Sequence, residues 1–137
     1  MSNPGPAVTT GTGLQNLSTN QGLRLLCYKK AIDVNVAGDN AMPLIATSLY
    51  SVATVILANG STSLTTARAG IYTLASAGGT AVVADAALST VNSTTAIMSM
   101  TVASTPVKTV PNLYFRVSTV QGAAATVDCY VYGYDFS

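Results

Sequence analysis

The sequence contains very little charge and lacks three residue types altogether. Only 8% of its 137 residues are charged, against about 25% in an average soluble domain, and there is no Glu, His or Trp. Without His, neither a Ser-His-Asp nor a Cys-His catalytic arrangement can form. The five Asp residues show no spacing typical of paired glycosidase carboxylates, and no phosphate-binding or dinucleotide-binding loop occurs. We therefore predict that the protein is not an enzyme and holds no cofactor.

The charges that are present form no patch of one sign. The net charge is +1 and residues of both signs are scattered, so we predict no nucleic-acid partner. Two long uncharged windows, residues 40–67 and 86–107, are broken by Pro, Gly, Asn and many hydroxyl residues. Both therefore fall short of the roughly 20 mainly apolar residues of a membrane span. The first 13 residues have neither the basic region nor the apolar run of a secretory signal, so the sequence predicts no membrane association.

Small and β-branched residues are abundant instead. The apolar residues are mostly Ala and Val, and there are 13 Ser and 19 Thr, a composition that suits closely packed strands better than helices. A domain of this length can bury roughly 70% of the surface that its unfolded chain exposes. A surface with so little charge does not keep copies apart well. We therefore expect much of it to be covered by copies of the same chain or by a partner.

The clearest structural pattern covers residues 113–136, where apolar and polar residues alternate in two arms around Gly122. A period of two is typical of half-buried strands. Leu113, Phe115 and Val117 share one face of the first arm, and Val127, Cys129 and Val131 share one face of the second. We predict a β-hairpin with Gly122 in its turn, and an ion pair between Arg116 and Asp128 across the two strands.

The preceding part of the chain also indicates strands. Residues 23–36 predict a long strand in which Leu23, Leu25 and Cys27 share one face and Ile32, Val34 and Val36 share another. The change of face at Lys29-Lys30 predicts a β-bulge there, followed by a turn at residues 37–40. Asn59-Gly60 predicts a second hairpin turn.

Further strands are predicted at residues 51–58, 63–66, 71–75, 81–84 and 96–102, with a turn at 77–80 and a connecting loop at 104–112. About eight short strands indicate an all-β fold, an antiparallel sandwich or barrel. This domain spans residues 23–137 and follows an extended arm, residues 1–22, that has little to bury. The arm is either a tail or a segment that orders against a neighbouring chain, and we favour the second. Its candidate partner-binding residues are Pro4, Pro6, Val8, Leu14 and Leu17.

Three further features allow two interpretations each. Cys27 and Cys129 are predicted to be buried free thiols, with a disulfide between the first and last strands as the alternative. Residues 33–40 begin like a calcium loop, but Leu44 stands where the bidentate Glu is required, so we predict a turn and no metal. Tyr130, Tyr132 and Tyr134 form an aromatic stripe that we assign to packing or to an interface, with a sugar-binding surface as the alternative.

Two stretches resemble small virion proteins of tailed bacteriophages: AGIYTLASAGGTAVVAD at residues 69–85 and YFRVSTVQGAAATVDCYVYGYD at residues 114–135. The resemblance covers about residues 49–137. It implies a capsid decoration, or cement, protein with a jelly-roll-like β-sandwich, bound as a homo-oligomer to the major capsid protein on the outer surface of the head. A trimer is expected, with a dimer as the alternative.

The resemblance carries no chemical motif, so it assigns no functional residues. Two other roles stay open at this point. One is a receptor-binding or carbohydrate-binding domain of a phage fibre, with the three tyrosines as its platform. The other is a tail-tube or head-completion protein.

Overall fold

The computed structural model describes residues 22–45 and 48–137, which form eight β-strands. The strands are β1 (Arg24–Asp33), β2 (Gly38–Pro43), β3 (Tyr50–Ala58), β4 (Arg68–Leu74), β5 (Gly78–Ala87), β6 (Met98–Met100), β7 (Asn112–Thr119) and β8 (Thr126–Asp135). These ranges contain no helix, and hence none long and apolar enough to cross a membrane.

The strands pair as if the chain were one long antiparallel hairpin rolled up on itself. β4 pairs with β5, β3 with β6, β2 with β7, and β1 with β8. Two more pairings, β3 with β8 and β4 with β7, join these ribbons into two sheets. Sheet A has the order β1-β8-β3-β6 and sheet B the order β2-β7-β4-β5. This is the topology of a jelly roll, and it confirms the predicted all-β antiparallel sandwich.

The midpoint of the rolled hairpin is the tight turn between β4 and β5. Ser76, Ala77 and Gly79 take φ values of 58°, 60° and 68°, the left-handed conformation that reverses a chain in few residues. The backbone N–H of Ser76 donates to the Asp39 carboxylate at 2.9 Å, which fixes the turn against β2. The turn predicted at residues 77–80 is therefore confirmed to within two residues.

The core lies between the two sheets and follows the alternation of the sequence. The alternating residues Leu113, Phe115 and Val117 of β7 and Val127, Cys129 and Val131 of β8 are all fully buried. Both sheets contribute large side chains: Phe115 and Ile71 come from sheet B, and Tyr50, Leu26 and Leu57 come from sheet A. At about 25 cal/mol per Å² of buried apolar surface, this shared core is the main term that stabilises the sandwich.

The predicted hairpin at residues 113–136 is wrong, although both of its strands exist. β7 belongs to sheet B and β8 to sheet A, so the chain crosses between the sheets. Gly122 has the expected positive φ of 91°, but in a crossing loop. Gln121 holds this loop: its N–H donates to the carbonyl of Val34 at 3.0 Å, and its side-chain oxygen accepts the N–H groups of Thr66 and Ala67, each at 3.0 Å.

The predicted ion pair between Arg116 and Asp128 is wrong for the same reason. Because β7 and β8 are not neighbours, the two side chains lie on different sheets. Arg116 instead pairs with Asp39 of β2, with 3.1 Å between Nη1 and Oδ1.

The Asn59-Gly60 hairpin is also wrong. Asn59 has the predicted left-handed conformation, with φ of 55°, but the chain continues from β3 in sheet A to β4 in sheet B. Residues 63–66 belong to this connection and form no strand. The turn expected at residues 37–40 occurs earlier, at 34–37, and Gly38 already begins β2. Local turn residues identify where the chain bends but not which strands pair.

The predicted bulge in β1 is confirmed. The pairing with β8 shifts register between Lys29 and Ile32, and Ala31 has a φ of 53°. A second shift between Leu25 and Cys27 was not predicted. Because of it, Leu26 and Cys27 are both buried while Leu23 is exposed, so the predicted shared face of Leu23, Leu25 and Cys27 is wrong. Val36 lies after the strand and is exposed as well.

Candidate functional site

The outward side of sheet A carries a continuous set of aromatic and aliphatic side chains, which we call the tyrosine face. Its members are Leu25, Tyr28, Thr54, Ile56, Ser99, Tyr130, Tyr132 and Tyr134. They share one side because residues directly opposite each other on paired strands point the same way. Their sequence neighbours on β3 and β8, such as Leu57 and Val131, point into the core.

Two rows of cross-strand neighbours build this face. In the first, Tyr28 of β1 lies opposite Tyr130 of β8, which lies opposite Ile56 of β3, and Ser99 of β6 completes the row. In the second row, Leu25, Tyr132 and Thr54 are neighbours across the same strands. The positions of these side chains therefore depend on the pairing of strands that are far apart in the chain.

Two tyrosine rings at the centre of the face, those of Tyr28 and Tyr130, stack on each other. The rings of Tyr28 and Tyr130 run nearly parallel, with 6.3 Å between their centroids and 18° between their planes. Tyr28 is 45% exposed and Tyr134 is 39% exposed, while Tyr130 and Tyr132 are half-buried. Parallel aromatic pairs of this kind add about 0.5–1.5 kcal/mol beyond the burial of their area.

A small polar network marks one end of the tyrosine face. The Asp128 carboxylate accepts the N–H of Ala31 at 2.8 Å, the side-chain amide of Asn59 at 2.9 Å and the hydroxyl of Tyr130 at 3.3 Å. Partial desolvation raises the pKa of Asp128, but these three hydrogen bonds and the nearby charge of Lys30 outweigh it and leave that pKa below its usual value. The network fixes the bulge of β1 and orients Tyr130.

The pKa of Tyr130 shifts in the opposite direction from that of Asp128. Partial desolvation and the adjacent Asp128 carboxylate raise the pKa of its hydroxyl, so the phenol stays protonated at neutral pH. Arg24 pairs with Asp135, with 3.2 Å between Nη1 and Oδ2, but on the core-facing side of sheet A, because these residues lie opposite Gly133 and the buried Tyr50. The tyrosine face therefore carries charge at its Lys30–Asp128 end, and its centre carries none.

The outward side of sheet B, which we call the ion-pair face, differs. Arg68 and Asp85 form a second ion pair there, with 2.9 Å between Nε and Oδ2, beside the pair of Arg116 with Asp39. The hydroxyl of Ser118 also donates to Asp85. Two tyrosines, Tyr72 and Tyr114, are opposite each other on β4 and β7, two residues along the strands from the Arg116–Asp39 pair.

The structure brings together three of the residues selected from the sequence. Tyr130, Tyr132 and Tyr134 share the tyrosine face, as their alternation on one strand implies. Tyr28 and Ile56 were missed because they join the face only through the β1–β8 and β8–β3 pairings. Alternation within each strand could have placed them outward, but no local signal could have placed them beside Tyr130. The candidates of the arm, Pro4, Pro6, Val8, Leu14 and Leu17, lie outside the described residues.

The two cysteines are buried free thiols in adjacent strands of sheet A, as predicted. Burial raises the pKa of Cys27 to about 12, and burial together with Cys27 raises that of Cys129 as well. Because only the thiolate is nucleophilic, both thiols are chemically inert in the folded chain.

The calcium-like residues act as turn contacts. The Asp33 carboxylate accepts the N–H of Asn35 at 2.9 Å, and the Asn35 side chain accepts the N–H of Gly122 at 2.8 Å. Asp39 lies in β2 and is engaged by Arg116. Across residues 22–45 and 48–137, no three metal-ligating side chains come together.

Lys108 is a buried cation in the loop between β6 and β7. Its side chain donates to the carbonyls of Ser104 at 3.3 Å and Pro106 at 3.2 Å, and its backbone pairs with that of Tyr50. Burial lowers the pKa of its amine. These contacts tie the long loop to the start of β3.

The tyrosine face offers binding chemistry. A tyrosine presents an apolar ring with a polar tip, and interface cores are enriched in aromatic residues and depleted of charge. No pocket is found in the part of the chain that the structure describes.

Comparisons with protein-family models, with curated proteins and with solved structures find no match to this chain.

Proposed function

We propose that this chain is a capsid decoration protein of a tailed bacteriophage, which binds the outer surface of the head and bridges subunits of the major capsid protein. The observation that carries the proposal is a jelly roll with an aromatic face, uncharged at its centre, on the outward side of sheet A. Such a surface suits a permanent protein–protein contact. The resemblance of residues 69–85 and 114–135 to small virion proteins directs the proposal to the phage head.

A decoration protein stabilises a shell by burying surface that subunit separation would expose again. A contact of standard size buries about 1,600 Å² in total, and the symmetry of the shell repeats it many times. When one oligomer grips several subunits, the second contact becomes intramolecular and the overall affinity rises by about 10²–10⁴. Low surface charge favours this role, since few ions need to be desolvated when the protein docks.

We assign capsid contact to the arm, residues 1–22, and to loops near it, while the sandwich forms the oligomer. The candidate contacts in the arm are Pro4, Pro6, Val8, Leu14 and Leu17. Gly22 leads directly into β1, an edge strand of sheet A.

The test mixes the purified full chain with undecorated heads of the phage that encodes it, pellets the heads and counts the bound copies. We expect saturable binding at a fixed ratio to the capsid subunits and a higher temperature of head disruption. Binding that does not saturate, or that leaves the disruption temperature unchanged, would refute the decoration role.

The contribution of the arm is tested in the full chain with a variant that carries Val8→Ser, Leu14→Ser and Leu17→Ser. We expect head binding to weaken at least tenfold while the thermal unfolding of the sandwich stays unchanged. Ile97→Ser is the matched control because Ile97 is 66% exposed and lies outside the arm. Equal binding by both variants would show that the arm does not grip the capsid.

A second candidate is favoured by one observation, the Asp128–Asn59 pair that is hydrogen-bonded to Tyr130, whose ring stacks with the exposed ring of Tyr28. Carboxylate and amide groups next to an aromatic ring can bind a sugar, as expected of a receptor-binding fibre domain. Binding to a glycan array that is lost in Tyr28→Ala and Tyr130→Ala, together with no binding to heads, would favour this function over decoration.

A further inference from the structure

We propose that two copies of this chain pair through their tyrosine faces, sheet A against sheet A, about a two-fold axis. The inference goes beyond capsid binding, because it concerns an interface between copies of the chain that forms whether or not a head is present.

The centre of the tyrosine face has the composition of an interface core. Tyr28, Tyr130 and Ile56 lie side by side across three strands, and no charged side chain stands between them. In a protein surface an uncharged, aromatic patch of this kind marks an interface. Tyr28, at 45% exposure, has the most to gain from a partner that excludes water.

The area of the face is sufficient for a specific dimer. The strands of sheet A have ten, ten, nine and three residues. With about 3.4 Å per residue and about 4.8 Å per strand, the face covers about 520 Å². Two such faces bury about 1,000 Å² together, which is about the least that a specific interface needs.

The charge distribution of the face favours a second copy. Lys30 and Asp128 lie together at one end, where their charges balance. The centre carries no charge, so two copies can bring their centres together about a two-fold axis without placing like charges opposite each other.

The remaining surfaces of the sandwich fit self-association less well. Among the edge strands, β1 is bulged twice and carries Lys29-Lys30, β6 has three residues, and β2 ends at Pro43. The fourth edge strand, β5, pairs with β4 through three register shifts, and its Val82 carbonyl already accepts the N–H of Ala103 at 2.7 Å. Such features hinder edge-to-edge pairing. The ion-pair face would have to desolvate two ion pairs, a cost that packing does not readily offset. A ring of three needs two different contact surfaces, whereas one self-complementary face gives a dimer.

Sedimentation equilibrium of the full chain tests this inference. The chain has a mass of 13.9 kDa, so we expect the native protein to sediment at twice that mass. Ile56→Lys places a charge at the centre of the face in both copies, and we expect it to sediment as a monomer. Tyr28→Ser should raise the dissociation constant of the dimer at least about 30-fold, as expected for loss of a central aromatic residue.

The matched control is Tyr72→Ser, which removes a tyrosine at an equivalent cross-strand position on the ion-pair face. We expect it to remain a dimer. A native monomer, a native trimer, a dimer that survives both sheet A substitutions, or a dimer that Tyr72→Ser dissociates equally would each overturn the proposal. If Ile56→Lys does not fold, Tyr28→Ser decides alone, because the exposed Tyr28 side chain can be shortened without opening the core.

This result is separable from the test of the decoration role. A dimer of the native chain that fails to bind heads keeps the interface and refutes the decoration function. A monomer that saturates heads does the reverse, and it would place the tyrosine face against the capsid subunit instead.

Discussion

The two sheets share one core and have four strands each, yet their outward faces differ in chemistry. Each face carries two tyrosines at directly opposite positions, Tyr28 with Tyr130 on sheet A and Tyr72 with Tyr114 on sheet B. Ile56 and Leu25 accompany the first pair, whereas two ion pairs accompany the second.

The common features of the sheets come from the fold, because the inward residues must fill one core. The difference between them is not required by the fold, since either outward face could be charged. A face that stays uncharged in a jelly roll is therefore the part of the molecule that most directly reports its function.

The largest expected effect is on the rate at which the cysteines are modified. Both cysteines lie in sheet A, and the strands of sheet B contain none. A thiol reagent should modify neither Cys27 nor Cys129 in the folded chain, because burial keeps both thiols protonated and inaccessible. If modification requires global unfolding, its rate falls by the ratio of folded to unfolded protein, on the order of 10³ or more. The measurement is the rate of thiol release with a chromogenic disulfide, with and without denaturant.

The same experiment can show whether sheet A opens independently of sheet B. If sheet A opened locally while sheet B stayed folded, labelling would be faster than global unfolding measured by circular dichroism. Equal rates are expected for a sandwich with a single shared core. Rapid labelling of one thiol in the native protein would contradict the burial of β1 or β8.

A second contrast lies in the glycines of the two sheets. A Cβ at Gly133 in sheet A would overlap the carbonyl oxygen of Ser51, whereas the nearest atom at Gly70 in sheet B is the carbonyl oxygen of Val83, 2.8 Å away. Backbone atoms cannot move aside as a flexible side chain does. We expect Gly133→Ala to lower the free energy of unfolding by about 3 kcal/mol or more and Gly70→Ala by about 1–2 kcal/mol. Urea titrations measure both.

The decisive result is which of the two substitutions, Gly133→Ala or Gly70→Ala, lowers the free energy of unfolding more. If Gly70→Ala cost more than Gly133→Ala, the close approach of β8 to β3 would not be the tighter of the two. If neither substitution changed the unfolding midpoint, both contacts would be looser than the structure has them.

A third prediction concerns how the stability contributed by Asp128, at the polar end of the tyrosine face, depends on pH. The pKa of Asp128 is lowered on folding, so this carboxylate contributes stability that is fully present above the pKa of about 3.9 of an unfolded Asp. That contribution is lost as the pH falls through the lower folded pKa. We expect Asp128→Asn to be destabilised relative to the native chain at pH 7, and the difference to shrink as the pH falls below the unfolded pKa of about 3.9.

Unfolding in urea at several pH values measures this difference. Asn59→Ala is the partner variant, because it removes one donor to Asp128 and leaves the carboxylate in place. A gap between native and Asp128→Asn proteins that did not narrow in acid would contradict the lowered pKa.

Most of the strands could be predicted from the sequence, but not their pairing. Alternation located β7 and β8 and their buried residues, such as Phe115 and Val131, because a period of two is a local property. The register of β1 with β8 joins residues about 100 positions apart, as between Tyr28 and Tyr130. No local pattern contains that information, and for this reason the hairpin predicted at residues 113–136 was wrong.

The candidate site was predicted in the same partial way. Its three tyrosines on β8 were selected because they alternate along one strand, whereas Tyr28 and Ile56 enter from β1 and β3. The contrast with sheet B was also invisible in the sequence. Arg116 was assigned to Asp128, and only the fold shows that its partner is Asp39 and that this ion pair lies on the other sheet.

The smallest expected effect compares how the two faces respond to salt. Arg68→Gln breaks the ion pair with Asp85, whose side chains are 44% and 34% exposed, so the loss of stability should be at most about 1 kcal/mol at low salt. At 1 M salt the Debye length is only about 3 Å, and the loss should shrink towards zero. Tyr28→Ser removes the contact between parallel rings on the tyrosine face, and its similar loss should persist in 1 M salt because no ion pair is involved.

Both variants are measured by thermal unfolding at two salt concentrations, at a protein concentration low enough that every chain is monomeric. That condition removes self-association from the comparison, so the salt response reports each face alone. If Tyr28→Ser lost its effect in salt as Arg68→Gln does, electrostatics would stabilise the tyrosine face as well. The division into one apolar and one ionic face would then fail, and with it the physical basis for pairing two copies through sheet A.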